Sequence, residues 1–146
     1  MKIGILNSGG YNINSIKFAL NRLNIDDILI VKTSQEFEQC DRIIIPGVGH
    51  AKTAMDLLEK QNLISIIKET KKPVLGICLG MQIMFLSSQE GNVKCLGIFD
   101  EKILKLPNNV CAPQIGWNKI INGKYSGEFV YFANSYYAAF FDYTQS

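Results

Sequence analysis

The sequence predicts an α/β fold, a mostly parallel sheet with flanking helices, on three observations. Short apolar runs alternate with stretches of helical periodicity through the first 90 residues. Those runs are continuously apolar instead of alternating, as in strands covered on both faces. Each run is closed by a cluster of Gly, Pro, Asn or Ser. At 146 residues, 47% of them hydrophobic, the chain is one domain with a sizeable core.

Taken in order, residues 2–6 form a strand carrying Ile3, Ile5 and Leu6, ended by the turn Asn7-Ser8-Gly9-Gly10. Ile13, Ile16, Phe18, Ala19, Leu20 and Leu23 recur at helical spacing and predict a helix over 12–23. Strands follow at 28–31 and 42–45, the second stopped by Pro46-Gly47. Helical patterns return at 51–60 and 63–70, then a fourth strand at 73–77 and a helix over 80–87. After Glu90 the segments 101–106, 117–121 and 128–132 are short, β-branched or aromatic, and punctuated by turn residues. They predict antiparallel strands or hairpins attached to the parallel sheet. An apolar segment, 136–141, lies near the end, and no closing helix follows it. The expectation is a single domain over 1–146, truncated at its C-terminus.

Composition removes several function classes. Fifteen basic residues mix with thirteen acidic ones, and no basic stripe invites nucleic acid. No apolar run approaches the ~20 residues of a membrane span. The N-terminus lacks the layout of a signal peptide, so a cytoplasmic location is expected. Cys40, Cys78, Cys95 and Cys111 are irregularly spaced with no CxxC pair, and His50 is the single histidine. A zinc site is not expected, nor any other metal or cofactor.

Among the four cysteines, Cys78 stands apart. Gly76-Ile77-Cys78-Leu79-Gly80 lies between an apolar strand and a helix, the glycine-flanked spacing of a nucleophile elbow. A nucleophile on so sharp a turn needs minimal neighbours, and a helix N-terminus behind it favours thiolate, the reactive form. Pro46-Gly47-Val48-Gly49 ends the preceding strand, and sites in open α/β sheets lie at the carboxyl ends of strands. Its backbone N–H groups, with that of Leu79, suit an oxyanion hole. Gln82, four residues beyond Cys78, shares its helical face.

The run Gly76-Ile77-Cys78-Leu79-Gly80-Met81-Gln82 resembles the nucleophile segment of class I glutamine amidotransferases, whose fold is flavodoxin-like. Pro46-Gly47-Val48-Gly49, Gly116-Trp117-Asn118 and Ser135-Tyr136-Tyr137 resemble the branch that serves as glutaminase subunit of imidazole glycerol phosphate synthase in histidine biosynthesis. The resemblance runs from Met1 to about Tyr137. It implies that Cys78 attacks the glutamine amide and forms a thioester. Gly47, Val48 and Leu79 would supply oxyanion contacts, and Gly49, Gln82, Ser135 and Tyr136 would hold the substrate. It also implies a heterodimer with a cyclase subunit that receives the ammonia. Asn12 and the segment 114–118 would lie toward that partner.

Departures from the family pattern are specific. Tyr11 stands where the family has Gly, and Gln114 and Asn134 stand where it has His. The family's catalytic His and Glu lie in a His-Pro-Glu motif that these 146 residues do not contain. The chain as given is therefore expected to be inactive, lacking its general base. Two other readings stay open: a related glutaminase for sugar amidination, and a non-catalytic amidotransferase-like binding subunit.

Overall fold

A computed structural model describes residues 1–7, 9 and 12–139. Ser8, Gly10 and Tyr11 of the first turn, and Phe140 and Phe141 of the last apolar segment, lie outside the described residues. Four strands make a parallel sheet: β1 (Ile3–Leu6), β2 (Ile28–Val31), β3 (Arg42–Ile45) and β4 (Val74–Gly76). Their spatial order is β2-β1-β3-β4. That is the flavodoxin-like order, with β1 beside β3 at the point where chain direction across the sheet reverses.

Alternation along the strands assigns the two faces. Ile3 and Ile5 of β1 and Ile44 of β3 pack with Ile16 and Leu20 of helix α1 (Ile13–Arg22). Leu6, Ile43 and Ile45 enter the larger core on the other side. There they meet Ala54, Met55 and Leu58 of α3 (Ala51–Lys60) and Ile67 of α4 (Ile64–Glu69). These elements form where the apolar periodicity predicts them, each within one or two residues of its expected ends.

Between β2 and β3 lies a helix the sequence reading did not anticipate, α2 (Ser34–Glu38). It carries a single apolar core residue, Phe37, which is too little for a period to register. A capping box starts it instead. Thr33 Oγ1 accepts the Glu36 N–H at 3.3 Å, and the Glu36 carboxylate accepts the N–H of Lys32 at 2.7 Å and of Thr33 at 3.0 Å. Those donors, Lys32 first, hold the Glu36 carboxyl below the usual carboxylate range. At the far end, Lys72 Nζ donates to the carbonyls of Phe37 and Glu38, both at 3.0 Å.

The second half departs from expectation in two ways. The helix predicted over 80–87 ends early: α5 covers Leu79–Gln82, and β5 (Phe85–Ser88) begins three residues later. Ile83, Met84 and Phe85 are all buried, and an unbroken apolar run has no period to separate helix from strand. The later strands also do not join the parallel sheet. β5, β6 (Val93–Lys94), β7 (Phe99–Lys105) and β10 (Tyr136–Ala138) form a second sheet in the order β10-β7-β5-β6. Within it β5 and β7 run parallel. β8 (Gln114–Lys119) and β9 (Phe129–Asn134) pair only with each other, as an antiparallel hairpin.

The junction between β3 and the turn after β4 leaves no room for side chains at its glycines. A Cβ on Gly80 would collide with the Ile45 carbonyl oxygen and lie 2.9 Å from that of Pro46. One on Gly47 would collide with the Gly80 nitrogen and lie 2.6 Å from Leu79 Cβ. One on Gly76 would meet Met81 Cα at 2.5 Å.

Two substitutions separate core volume from this junction. Leu58→Ala empties a fully buried position on α3 and should cost about 2–5 kcal/mol in urea unfolding. Gly80→Ala adds one methyl against backbone that cannot step aside, and overpacking of that kind costs about 1–3 kcal/mol or more. The distinguishing measurement is the alkylation rate of Cys78, which Gly80→Ala should change and Leu58→Ala should leave alone.

Candidate functional site

Cys78 sits at the carboxyl end of β4 with φ 53° and ψ −117°, a left-handed backbone that L-residues rarely adopt. The surroundings hold it there. Ile77 N–H donates to the Ile45 carbonyl at 3.0 Å, and the Cys78 carbonyl accepts the N–H groups of Met81 and Gln82 at 3.0 and 3.1 Å. Gly80 lets the chain pass the end of β3, and Gly76 lets Met81 fold back over it. The thiol is exposed. Strained backbone held by over-determined neighbours, with a nucleophilic side chain outward, is the geometry of an elbow.

The four thiols differ in environment. Cys40 and Cys95 are buried, Cys78 and Cys111 exposed. Burial raises the Cys40 thiol, and pushes Cys95 up to about 11 with the Glu90 carboxylate adding to the effect. Both therefore stay protonated at neutral pH and are poor nucleophiles. Cys111 lies between strands with no glycine-flanked turn around it.

The Pro46–Gly49 loop lies against the elbow through Gly47, beside Leu79 and Gly80. Among the described residues, the N–H groups of Gly47, Val48, Gly49 and Leu79 donate to no backbone or side-chain acceptor. Gly49 has φ 117° and nothing within 4 Å of where a Cβ would stand. Of these, Leu79 follows Cys78 directly and Gly47 packs against Leu79 and Gly80. One part of the sequence argument needs correction. α5 is four residues long, so few peptide dipoles align behind Cys78, and local N–H groups must do what a long helix was expected to do.

Gln82 is buried, 6% exposed, and its Nε2 donates to the Tyr136 carbonyl at 3.4 Å. Asn134 Nδ2 donates to the same carbonyl at 3.0 Å. The first residue of β10 is in this way tied to the elbow helix, and Ser135 sits between Asn134 and Tyr136. Asn134 Oδ1 is buried and has no partner among the described residues. Gln82 and Tyr136 are joined directly, whereas Gly49 and Ser135 touch neither through a hydrogen bond. Asn134, singled out in the sequence because it stands where the family has His, is thus drawn to the Tyr136 carbonyl; that particular hydrogen bond had no signal in the sequence.

His50 does not belong to this cluster. It caps α3: its Nδ1 accepts the Lys52 N–H at 3.3 Å, and its ring lies over Gly91. A broad groove lined by Glu38, Ile66, Glu69 and Lys72 opens at the amino end of β4, opposite the elbow. It holds neither cysteine nor histidine.

Comparison with known proteins agrees with this arrangement. The family model for glutamine amidotransferase class-I matches residues 5–141. The imidazole glycerol phosphate synthase subunit HisH of Bacteroides fragilis (strain YCH46) is 39% identical, with 99% of this chain and 78% of that protein covered. The protein of the same name from Buchnera aphidicola subsp. Acyrthosiphon pisum (strain APS) is 40% identical over 100% of this chain and 79% of its own. A solved glutamine amidotransferase superimposes with a TM-score of 0.75 at 17% identity, covering 91% of this chain and 71% of that one, which shows the shared fold. No helix among the described residues is long and apolar enough to cross a membrane. With an elbow cysteine on a flavodoxin-like sheet and a family match over nearly its whole length, the chain belongs to the class I glutamine amidotransferases.

Proposed function

We propose that this protein is the glutaminase subunit of an imidazole glycerol phosphate synthase, acting in the cytoplasm as a heterodimer with a cyclase subunit. The observation that carries the reading is Cys78, exposed on a positive-φ turn between glycines, with the Gly47 loop packed against Leu79 and Gly80. The names of the relatives supply the pathway. Exposed Ile115, Trp117, Phe129 and Tyr131 on the β8–β9 hairpin support a protein partner, since contiguous apolar surface favours docking. Trp117 is 69% exposed and stacks edge-on against Tyr131 at 5.5 Å.

The chemistry follows from the placement. The Cys78 thiolate attacks the side-chain amide carbon of glutamine, and negative charge develops on the amide oxygen. Free N–H groups of Gly47, Val48 and Leu79 stabilise that charge in a site needing little reorganisation. Collapse breaks the C–N bond, ammonia leaves with a proton from a general acid, and a γ-glutamyl thioester remains. Water then attacks the thioester carbonyl, releasing glutamate and the thiol. Gln82, Ser135, Tyr136 and Gly49 hold the glutamine. The acid and base need an imidazole at the elbow, and His50, the one histidine of residues 1–146, is committed to the start of α3. Residues 1–146 thus form an amidotransferase domain that binds without turning over. The same observation favours, as a second reading, a non-catalytic binding subunit.

Two measurements test this. A glutamine-derived chloroketone, given to the protein in complex with its partner, should alkylate Cys78 and spare Cys40, Cys95 and Cys111. Peptide mass spectrometry that finds the label mainly on another cysteine refutes the assignment. Residues 1–146 alone, or with the cyclase added, should release glutamate at background rate, because losing a triad imidazole costs on the order of 10^4- to 10^6-fold. Robust turnover by these residues would make His50 the first residue to replace.

A further inference from the structure

β5 lies between β6 and β7, and its two sides face different surroundings. On one side Ser88 is buried opposite Ile103, and its Oγ accepts the Glu90 N–H at 3.1 Å. Glu90 stands in a 3-10 turn, Glu90–Asn92, between β5 and β6, and its Oε2 accepts the Ala51 N–H at 2.8 Å. That side is committed to the core and to α3.

The register fixes what stands on the other side. Ser87 is directly opposite Lys94 of β6 and directly opposite Lys102 of β7. Residues opposite one another in adjacent strands share a face, so a serine stands between two lysines in one cross-strand row. Neighbouring strands are about 4.8 Å apart, which sets the two lysine backbones about 10 Å from each other. Both side chains are long enough to lean over Ser87. A cavity of about 330 Å³ opens there, lined by these three residues with Gln89, Asn92 and Leu104 among the others.

The charge in the wall has one sign. No carboxylate among the described residues lines the cavity. The ion pair among the described residues is Lys72 with Glu38, so no carboxylate neutralises either lysine of the row. Gln89 Oε1 accepts the Lys105 N–H at 2.7 Å, which leaves its NH2 group as the donor for a ligand. A wall of ammonium, hydroxyl and amide donors suits an anion with several acceptor oxygens. A carboxylate brings one negative charge, whereas a phosphate brings nearly two at neutral pH and three strong acceptor oxygens, enough to answer both lysines. The groove at the amino end of β4 has no such surplus. Glu38 and Glu69 line it, and Lys72 Nζ is held by the Glu38 carboxylate at 3.3 Å.

We propose that the outer face of β6-β5-β7 is a binding site for a phosphate dianion, held by Lys94, Lys102 and the Ser87 hydroxyl. The phosphate is free or belongs to a small ester whose carbon part lies along half-buried Leu104. The site is independent of the glutaminase reading, because no residue of the elbow takes part in it.

The test titrates the isotope-labelled full chain with ribose 5-phosphate at about 0.15 M salt, where exposed charges are screened beyond about 8 Å. Inorganic phosphate, unphosphorylated ribose and a glutamate-rich peptide are titrated beside it. Amide signals of Ser87, Lys94 and Lys102 should move together and saturate with a Kd below about 1 mM. Replacing both lysines, Lys94→Gln with Lys102→Gln, should weaken binding at least about 10-fold, since two charge-assisted contacts are lost. Lys119→Gln on the β8–β9 hairpin should leave it within about twofold, as expected of a charge outside the row. Tighter binding of ribose 5-phosphate than of inorganic phosphate identifies an ester as the source, and equal affinity identifies free phosphate; both support the site. Shifts that do not saturate by about 20 mM mark an adventitious ion only and overturn it. Equal weakening by Lys119→Gln overturns it too, as does ribose binding as well as its phosphate. A glutamate-rich peptide that binds more tightly than either phosphate overturns it in favour of a protein partner. Should the double variant fail to fold, Lys94→Gln on the short strand β6 is read the same way.

Discussion

Everything near the elbow depends on one close approach, the backbone of Gly80 against the carbonyls of Ile45 and Pro46. No side chain fits between them, so the turn after β4 and the end of β3 are set at a single distance. Glycine carries an entropic cost in the unfolded chain, and three of them here are offset by the buried strands they join. The Ile77 to Ile45 hydrogen bond extends the β3–β4 ladder by one residue past the last strand pair. The chain must then reverse within Cys78 itself, which explains why a non-glycine residue takes a positive φ. The strain is local and its support is the sheet.

That arrangement also sorts the thiols. Cys40 and Cys95 face apolar surroundings, and removing water from a thiolate there costs more than any neighbour returns. Cys78 is held outward by its own backbone. With four residues of helix behind it, few aligned peptide dipoles act on it. Among the described residues, the N–H groups of Gly47, Val48, Gly49 and Leu79 donate to no protein acceptor. His50, the one histidine of residues 1–146, accepts the Lys52 N–H at the start of α3.

Legibility in the sequence followed the physics of each element. β1 to β4, α1, α3 and α4 were readable because one covered face or two leaves an apolar period or run. The elbow was readable because close approach leaves glycines at fixed offsets from Cys78. α2 left the signature Thr33-x-x-Glu36, visible but outweighed by its single apolar residue. β5 was misread because Ile83 to Leu86 is an unbroken apolar run that suits helix or strand equally, and pairing with β6 and β7 decided it. The Ala51–Glu90 bond left no trace, since a contact between residues 39 apart depends on the fold being formed.

The site is consequently assembled from two sheets that share no strand pair. The thiol and its candidate donors belong to the parallel sheet. Of the candidate substrate residues, Gly49 and Gln82 also lie there, whereas Tyr136 comes from β10, whose register on β7 places it opposite Lys105, and Ser135 precedes it. Two contacts cross between the sheets near the elbow: Gln82 to the Tyr136 carbonyl, and Ala51 to Glu90. Because β7 pairs with both β5 and β10, a shift along β7 would carry the Glu90 turn and Tyr136 together. The second sheet is thus tied through Tyr136 to the elbow helix and through the Glu90 turn to the start of α3.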